Sequence, residues 1–253
     1  MYLAQKKELR LDRASGPGRR IKTNDAILKN IEDKEKTMSL IFRDVNFDAP
    51  VFIINNAVSD DFCKATINEF KDKCRPATHQ AGDEWTSNEK EMRSSNVAWF
   101  TNHDLFKLMW EHMLVANYSM GLRYKMTGAE VFQFTKYEDT TKDHYDWHSD
   151  GQSDHFAARN FTFGEAKNLS ETGDPHLAGT VRKISASVML NDDFKGGEFQ
   201  VRWFQNKEVQ VRSIPAKKGD MIIFPSWLEH RVKPVTENTR YSVVVWYAGP
   251  PLV

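Results

Sequence analysis

Eight consecutive residues, Asp143-His144-Tyr145-Asp146-Trp147-His148-Ser149-Asp150, are dense in side chains that bind metals. Side chains two apart on a β-strand point to one face. Imidazole and carboxylate on one face make two-thirds of the facial triad that holds iron(II) and leaves positions open for other ligands. Two such pairs overlap here, His144/Asp146 and His148/Asp150. All four share one face of a regular strand, so periodicity leaves both pairs open. A lone His-x-Asp is also common by chance. A third ligand is available far along the chain: His230 lies in FPSWLEHRVKPVTENTRYSVVVW, after one strand-like run and before another. Arg240 opens the last of these runs, and alternation puts Arg240, Ser242 and Val244 on one face. An arginine turned into a β core needs an anion, because a buried unpaired charge is costly. Its planar guanidinium suits a carboxylate held by two parallel hydrogen bonds. Blander roles exist: His230 as a surface turn residue, Arg240 paired with a core aspartate. The joint occurrence of all these residues in this order is harder to dismiss.

Holding such residues together is the task of a β core. VFIINNAV (51–58) reads as a strand. Ser59 then suits an N-cap, with Asp60 and Asp61 in the first turn, where the helix dipole favours acids. Phe62, Cys63, Ile67, Phe70 and Cys74 follow at helical spacing. Eleven helical residues would hold Cys63 and Cys74 about 16 Å apart, beyond disulfide reach. Residues 103–117 give a second helix, with Leu105, Leu108, Met109, Met113 and Leu114 as its stripe. After Met126 the runs turn strand-like: 131–137, 184–190, 198–204, 208–214, 220–227 and 240–249. In 184–190, Ile184, Ala186, Val188 and Leu190 occupy one face and Ser185, Ser187 and Met189 the other. Many short strands after a helical front half predict a closed or two-sheet β core with helices packed outside. Residues 151–180 are polar, and an insertion of that length is usually functional or mobile.

Several stretches, in order, resemble the 2-oxoglutarate/iron(II) dioxygenases, in the branch similar to prolyl 4-hydroxylases. The resemblance runs from about Val51 to Leu252. Tyr137 to Asp150 resembles the family's Tyr…Tyr-x-x-His-x-Asp strand pair, with Tyr145 three before His148. Arg182 to Asp192 resembles the next core strand, Phe194 to Glu198 the Gly-Gly turn, and Lys218-Gly219-Asp220 the turn before the distal histidine. His230 through Arg240-Tyr241-Ser242 resembles the distal ligand and co-substrate arginine, ten apart.

The resemblance implies a mainly β (α+β) fold, a double-stranded β-helix (jelly-roll) core with helices from the N-terminal half outside it. It implies Fe(II), 2-oxoglutarate and O2, with ascorbate as a reductant for reactivation. It makes His148, Asp150 and His230 the metal ligands, since Tyr145 then occupies the family's tyrosine position. It assigns 2-oxoglutarate to Arg240, with Tyr137 and Ser242, and makes the three ligands and Arg240 the catalytic set. Met189 stands where some relatives carry a tyrosine that touches 2-oxoglutarate, so binding is expected to rest more on Tyr137 and Arg240. Asp150 argues against the halogenating relatives, which need that position empty. The implied reaction converts 2-oxoglutarate to succinate and hydroxylates an unactivated C–H bond, most naturally of a prolyl or other amino-acid residue in a protein or peptide. A free small molecule is the other substrate class. Tyr145, His155 and Arg159 are candidate substrate contacts, the last two within a lid-like insertion at 151–180, and 76–100 is a second candidate surface.

Composition sets outer limits. Formal net charge is zero and no run approaches the ~20 apolar residues of a membrane span, so neither a membrane nor nucleic acid is expected as partner. No signal-peptide run opens the chain, which with two cysteines suits a soluble cytoplasmic protein. Residues 1–22 carry seven basic and two acidic side chains and read as a solvated tail. The expected organisation is a basic extension (1–45) and a dioxygenase domain (46–253), with helical support over 46–130 and the jelly-roll core over 131–253. The rivals are a non-catalytic β-sandwich binding or structural module, and a cupin-like metal enzyme without a keto acid. Neither explains an inward arginine beside two histidines and an aspartate.

Overall fold

The computed structural model describes residues 49–77, 92–151, 177 and 180–251. The basic extension, the boundary at 45/46, most of the 151–180 insertion, His155 and Arg159 lie outside them, as does part of the 76–100 surface. In chain order the strands begin with β1 (Phe52–Ile54), β2 (Arg75–Pro76), β3 (Arg93–Ser94), β4 (Asn96–Phe100) and β5 (Gly128–Ala129). There follow β6 (Phe132–Tyr137), β7 (His144–His148), β8 (Val181–Met189), β9 (Lys195–Gly196) and β10 (Phe199–Gln205). The last are β11 (Glu208–Ser213), β12 (Met221–Pro225), β13 (Glu229–Val232), β14 (Val235–Glu237) and β15 (Arg240–Gly249). Helices α1 (Asp60–Phe70) and α2 (His103–Ser119) precede β2 and β5. The region expected to be helical support thus also supplies five strands.

The major sheet is ordered β1-β12-β8-β15-β6-β4-β2, with β5 on β15; the minor sheet is ordered β11-β10-β13-β7-β3; β14 and β9 form a small pair. These sheets are the double-stranded β-helix. Between them lies an apolar core that includes Val51, Ile53, Phe199, Val201, Ile222 and Phe224. The alternation of β8 explains its burial on both faces. Its serines and Met189 sit opposite Phe224, Ile222 and Ser242 in register, on the face turned to the minor sheet. The opposite face meets the helices: Tyr247 on β15 donates its hydroxyl to the Met109 carbonyl of α2.

Both helices begin as their caps dictate. Ser59 Oγ accepts from Phe62 N, and Asn102 Oδ1 accepts from Leu105 N. Phe70 seats α1 on the sheet by stacking on Phe100, with ring centroids 4.6 Å apart. Four expectations are corrected. Cys74 is not helical: α1 closes at Phe70, and the chain has left the helix before it enters β2 at Arg75, the residue that Pro76 holds extended. Both thiols are nonetheless free, with Cys63 buried. The first strand stops at Ile54, since Asn56 takes φ +51° and donates its N–H to Asp220. In α2 the buried stripe is Leu105, Met109, Met113 and Ala116, while Leu114 is exposed. His230 is not between strands but within β13.

Two glycines matter for the site. Gly219 takes φ +86° in the turn before β12, where a Cβ would lie 2.8 Å from the Val58 carbonyl. Gly197 takes φ +62°, and a Cβ there would press at 3.0 Å on the Arg240 side chain. No helix among the described residues is long and apolar enough to cross a membrane.

Candidate metal centre and anion pocket

His148 and His230 are cross-strand partners in the minor sheet. Asp150 lies just past β7, its N–H donating to the Ser226 carbonyl at 2.9 Å. The three side chains bring one ligand atom each within 4.8 Å of one another. His148 Nε2 is 3.9 Å and His230 Nε2 3.6 Å from the Asp150 carboxylate. Each histidine turns Nδ1 to the carbonyl two residues earlier, at 2.7 Å for Asp146 and 2.9 Å for Leu228. A carbonyl only accepts, so Nδ1 carries the proton in both rings. Both Nε2 lone pairs therefore face the cluster, the tautomer a metal requires.

A bulge in β7 separates these residues from the rival pair. His148 pairs with His230 but Tyr145 pairs with Val232, so Asp146 and Trp147 together oppose Arg231. The extra residue breaks the two-residue period. Tyr145 and His148 both turn inward and stack, with centroids 3.4 Å apart. Asp146 and Trp147 turn outward: Asp146 faces Arg231 at 3.9 Å, and Trp147 lies between the guanidiniums of Arg202 and Arg231. His144 pairs across from Ser94 and binds the Lys142 carbonyl. The expectation that all four ligand types share one face is thus wrong. It is correct only for a strand without a bulge.

The electrostatics suit a cation. Burial pushes His148 down to about 3, and the charge of His230 works in the same direction. Burial alone would raise Asp150, but the two imidazoles, Arg182 and the Ser185 hydroxyl outweigh it and hold the carboxylate below its ordinary value. The folded chain therefore keeps His148 neutral until the pH approaches 3, whereas the unfolded chain protonates it near 6.5. Protons favour the unfolded state between those values. Stability that is complete above pH 6.5 is lost as pH falls through the window. His148 should account for up to about 1.4 kcal/mol per pH unit in metal-free protein. Thermal unfolding at several pH values, wild type against His148→Gln, measures this; equal slopes would remove His148 as the source.

Arg240 sits at the start of β15, opposite Tyr137 in register and 1% exposed. Its Nη1 donates to Ser242 Oγ at 3.1 Å and its Nη2 to the Met189 thioether at 3.2 Å, a weak acceptor. Nε has no partner. The rings of Tyr137 and Phe194 flank the guanidinium at 5.4 and 5.9 Å. Among the described residues no carboxylate pairs with it, so the core-aspartate role is not what the fold gives Arg240. Burial lowers its pKa, opposed by Tyr137. Burial likewise raises Tyr137 and Tyr145, leaving neutral phenols.

Residues that sequence reasoning passed over complete the site. Ser185 donates to Asp150 Oδ2 at 2.6 Å and meets Ser226 at 2.9 Å. Arg182 forms a two-pronged pair with Glu130, both contacts at 2.6 Å, and lies over Trp246. Arg93 stacks on Tyr145 at 4.6 Å and bonds Ser95 and Gln133. The polar face of β8 was the available signal for Ser185. Nothing in the sequence marked Arg93 or Ser226.

Residues 132–248 match the family model of the 2OG-Fe(II) oxygenase superfamily. Human prolyl 3-hydroxylase 2 is 44% identical over 77 residues, 30% of this chain and 11% of that protein. A PKHD-type hydroxylase of Cupriavidus pinatubonensis is 33% identical over 88 residues, 34% of this chain and 37% of that protein. The chain thus spans about a ninth of the first relative's length and little more than a third of the second's. A Pseudomonas putida prolyl-4-hydroxylase structure superimposes with TM-score 0.51 at 16% identity, covering 79% of this chain and 92% of that one. A Trichoplax adhaerens prolyl hydroxylase, solved with a hypoxia inducible factor peptide fragment, gives 0.54 at 15% identity, covering 87% and 92%. The two structures share the fold. The family match spans β6 to β15, the stretch that with the residues just past β7 carries the three ligand-type side chains and Arg240.

Proposed function

We propose that this protein is an iron(II)- and 2-oxoglutarate-dependent dioxygenase that hydroxylates a prolyl residue in a protein or peptide. One observation carries the reading. Three electron-pair donors converge with no proton between them, and β15 of the facing sheet holds a buried guanidinium with no carboxylate partner among the described residues. The donor set is two imidazoles and one carboxylate, the set that suits iron(II). His148, Asp150 and His230 would hold the metal. Arg240 would take the distal carboxylate of 2-oxoglutarate in a two-pronged, charge-assisted pair, with Ser242 orienting the guanidinium and Tyr137 walling the pocket. When bound, iron, 2-oxoglutarate and dioxygen together supply a two-electron oxidation that puts one oxygen atom into succinate and the other into the substrate, with loss of carbon dioxide.

The chain's own residues do the positioning. The Nδ1 hydrogen bonds fix both imidazoles. Tyr145, stacked on His148, presents an uncharged phenol at the centre and is the described residue placed to meet substrate. The prolyl substrate is supported by the names of the relatives and by the peptide bound to the Trichoplax enzyme. The test is to incubate the chain with Fe(II), 2-oxoglutarate, ascorbate and proline-rich peptides, reading succinate and peptide mass. Succinate that rises with peptide, and a peptide heavier by one oxygen on proline, is expected. Succinate formation that no peptide stimulates, with a free small molecule taking up the oxygen instead, would defeat the prolyl assignment.

A further inference from the structure

We infer that Ser185 and Ser226 form a two-hydroxyl relay that locks the Asp150 carboxylate in the orientation the metal needs. The inference deepens the reading above and rests on it. Both serines are fully buried. Ser185 lies on the inner face of β8, between Phe224 and Trp246 in register, and its Oγ is 2.6 Å from Asp150 Oδ2. A hydroxyl has one proton, and an ionised carboxylate only accepts. The Ser185 proton is therefore committed to Asp150. In the 2.9 Å contact between the serines, Ser226 must be the donor.

Ser226 also holds the main chain at the same place. Its carbonyl accepts from Asp150 N at 2.9 Å and Gly151 N at 3.2 Å, and its N–H donates to the Lys183 carbonyl at 3.0 Å. Asp150 is thus held at backbone and side chain by Ser185 of β8 in the major sheet and Ser226 in the turn just past β12, whereas both histidines stand on the minor sheet. The relay ties the one carboxylate to one wall while the imidazoles are fixed to the other. Without it the terminal carboxyl torsion is broad, and both oxygens could turn to the metal. With Oδ2 engaged, the carboxylate is held to one arrangement, which keeps coordination positions open for co-substrate. Groups that orient a metal ligand in this way commonly set affinity by ten- to a hundredfold.

The full chain, metal-free and anaerobic, is titrated with Mn(II), and free Mn(II) is followed by electron paramagnetic resonance. Ser185→Ala should weaken Mn(II) binding by about ten- to a hundredfold. Ser226→Ala should weaken it by roughly threefold to tenfold, because Ser185 keeps its proton on Asp150 but loses its orienting donor. Ser185→Thr, which retains the hydroxyl, should return to within about threefold of wild type. Circular dichroism checks folding, and if Ser185→Ala does not fold, Ser226→Ala and Ser185→Thr carry the comparison. Wild-type affinity in both alanine variants overturns the relay. A wild-type chain that binds no Mn(II) overturns the metal centre itself, a separate result.

Discussion

Alanine at His148, Asp150 or His230 should each reduce conversion of 2-oxoglutarate to succinate by more than about a hundredfold, while His144→Ala stays within about twofold of wild type. The size follows from what the centre can tolerate. Loss of a mere orienting partner already costs about ten- to a hundredfold in affinity or activity, so loss of a ligand atom must exceed it. The three atoms lie within 4.8 Å of one another, and no fourth His, Cys, Asp or Glu among the described residues joins them. His144 is the demanding control because it has the same chemistry and lies four residues away, yet turns to the Lys142 carbonyl on the other face. Succinate and bound iron should be measured together on each variant, with circular dichroism as the folding check. If His144→Ala loses iron and His148→Ala keeps it, the bulge does not place the ligands as described.

Arg240→Lys should weaken 2-oxoglutarate binding by about thirty- to a hundredfold with metal affinity retained. A lysine supplies charge but not two parallel donors, and a two-pronged charge-assisted pair is worth about 2–3 kcal/mol. Arg240→Met should abolish measurable binding and also do something less obvious: raise the stability of the ligand-free protein. Among the described residues the fully buried guanidinium has no partner for Nε and only a hydroxyl and a thioether on its other nitrogens. Such a charge costs free energy unless an anion pairs with it. An apolar side chain of similar length among Met189, Val235 and Phe194 should relieve about 1–3 kcal/mol, a rise of several degrees in melting temperature. Calorimetry with Mn(II) and 2-oxoglutarate reads the first effect and thermal unfolding without ligand reads the second. Unchanged keto-acid affinity in Arg240→Lys would take Arg240 out of the pocket; a less stable Arg240→Met would mean the guanidinium supports the fold after all.

Much of this was legible because local rules dominate. The cap Ser59 and the run Arg240–Gly249 follow from residue type and spacing, and the turns at Gly197 and Gly219 from the family resemblance, whereas the cap Asn102 was not singled out. The serine face of β8 was visible as alternation, but not its meaning. In an ordinary sheet the polar face meets water; here it lines the interior between the sheets, where Ser185, Ser242 and Arg240 are buried. Ser226 was invisible because its role is main-chain and long-range: it is a hydroxyl and a carbonyl placed by the β12–β13 turn against residues 150 and 151. The choice between His144 and His148 could not be made from period either. A bulge leaves no residue signature of its own at Asp146 and Trp147, and only the tyrosine three before His148 pointed to the pair that the fold brings beside His230.

That bulge sets an asymmetry between two kinds of genetic change. Substitutions at Asp146 or Trp147 alter the outer face, where an arginine–indole stack can be exchanged for other solvent-side chemistry without moving an inner atom. A single-codon insertion there is different in kind. Two residues already oppose Arg231, and a third must either widen the bulge or move His148 off its place opposite His230. A deletion instead removes the extra residue and leaves Tyr145 opposite Val232 and His148 opposite His230. A motif search that leaves the residues between tyrosine and histidine unspecified, and admits an interval one residue shorter but not longer, keeps the part that geometry requires.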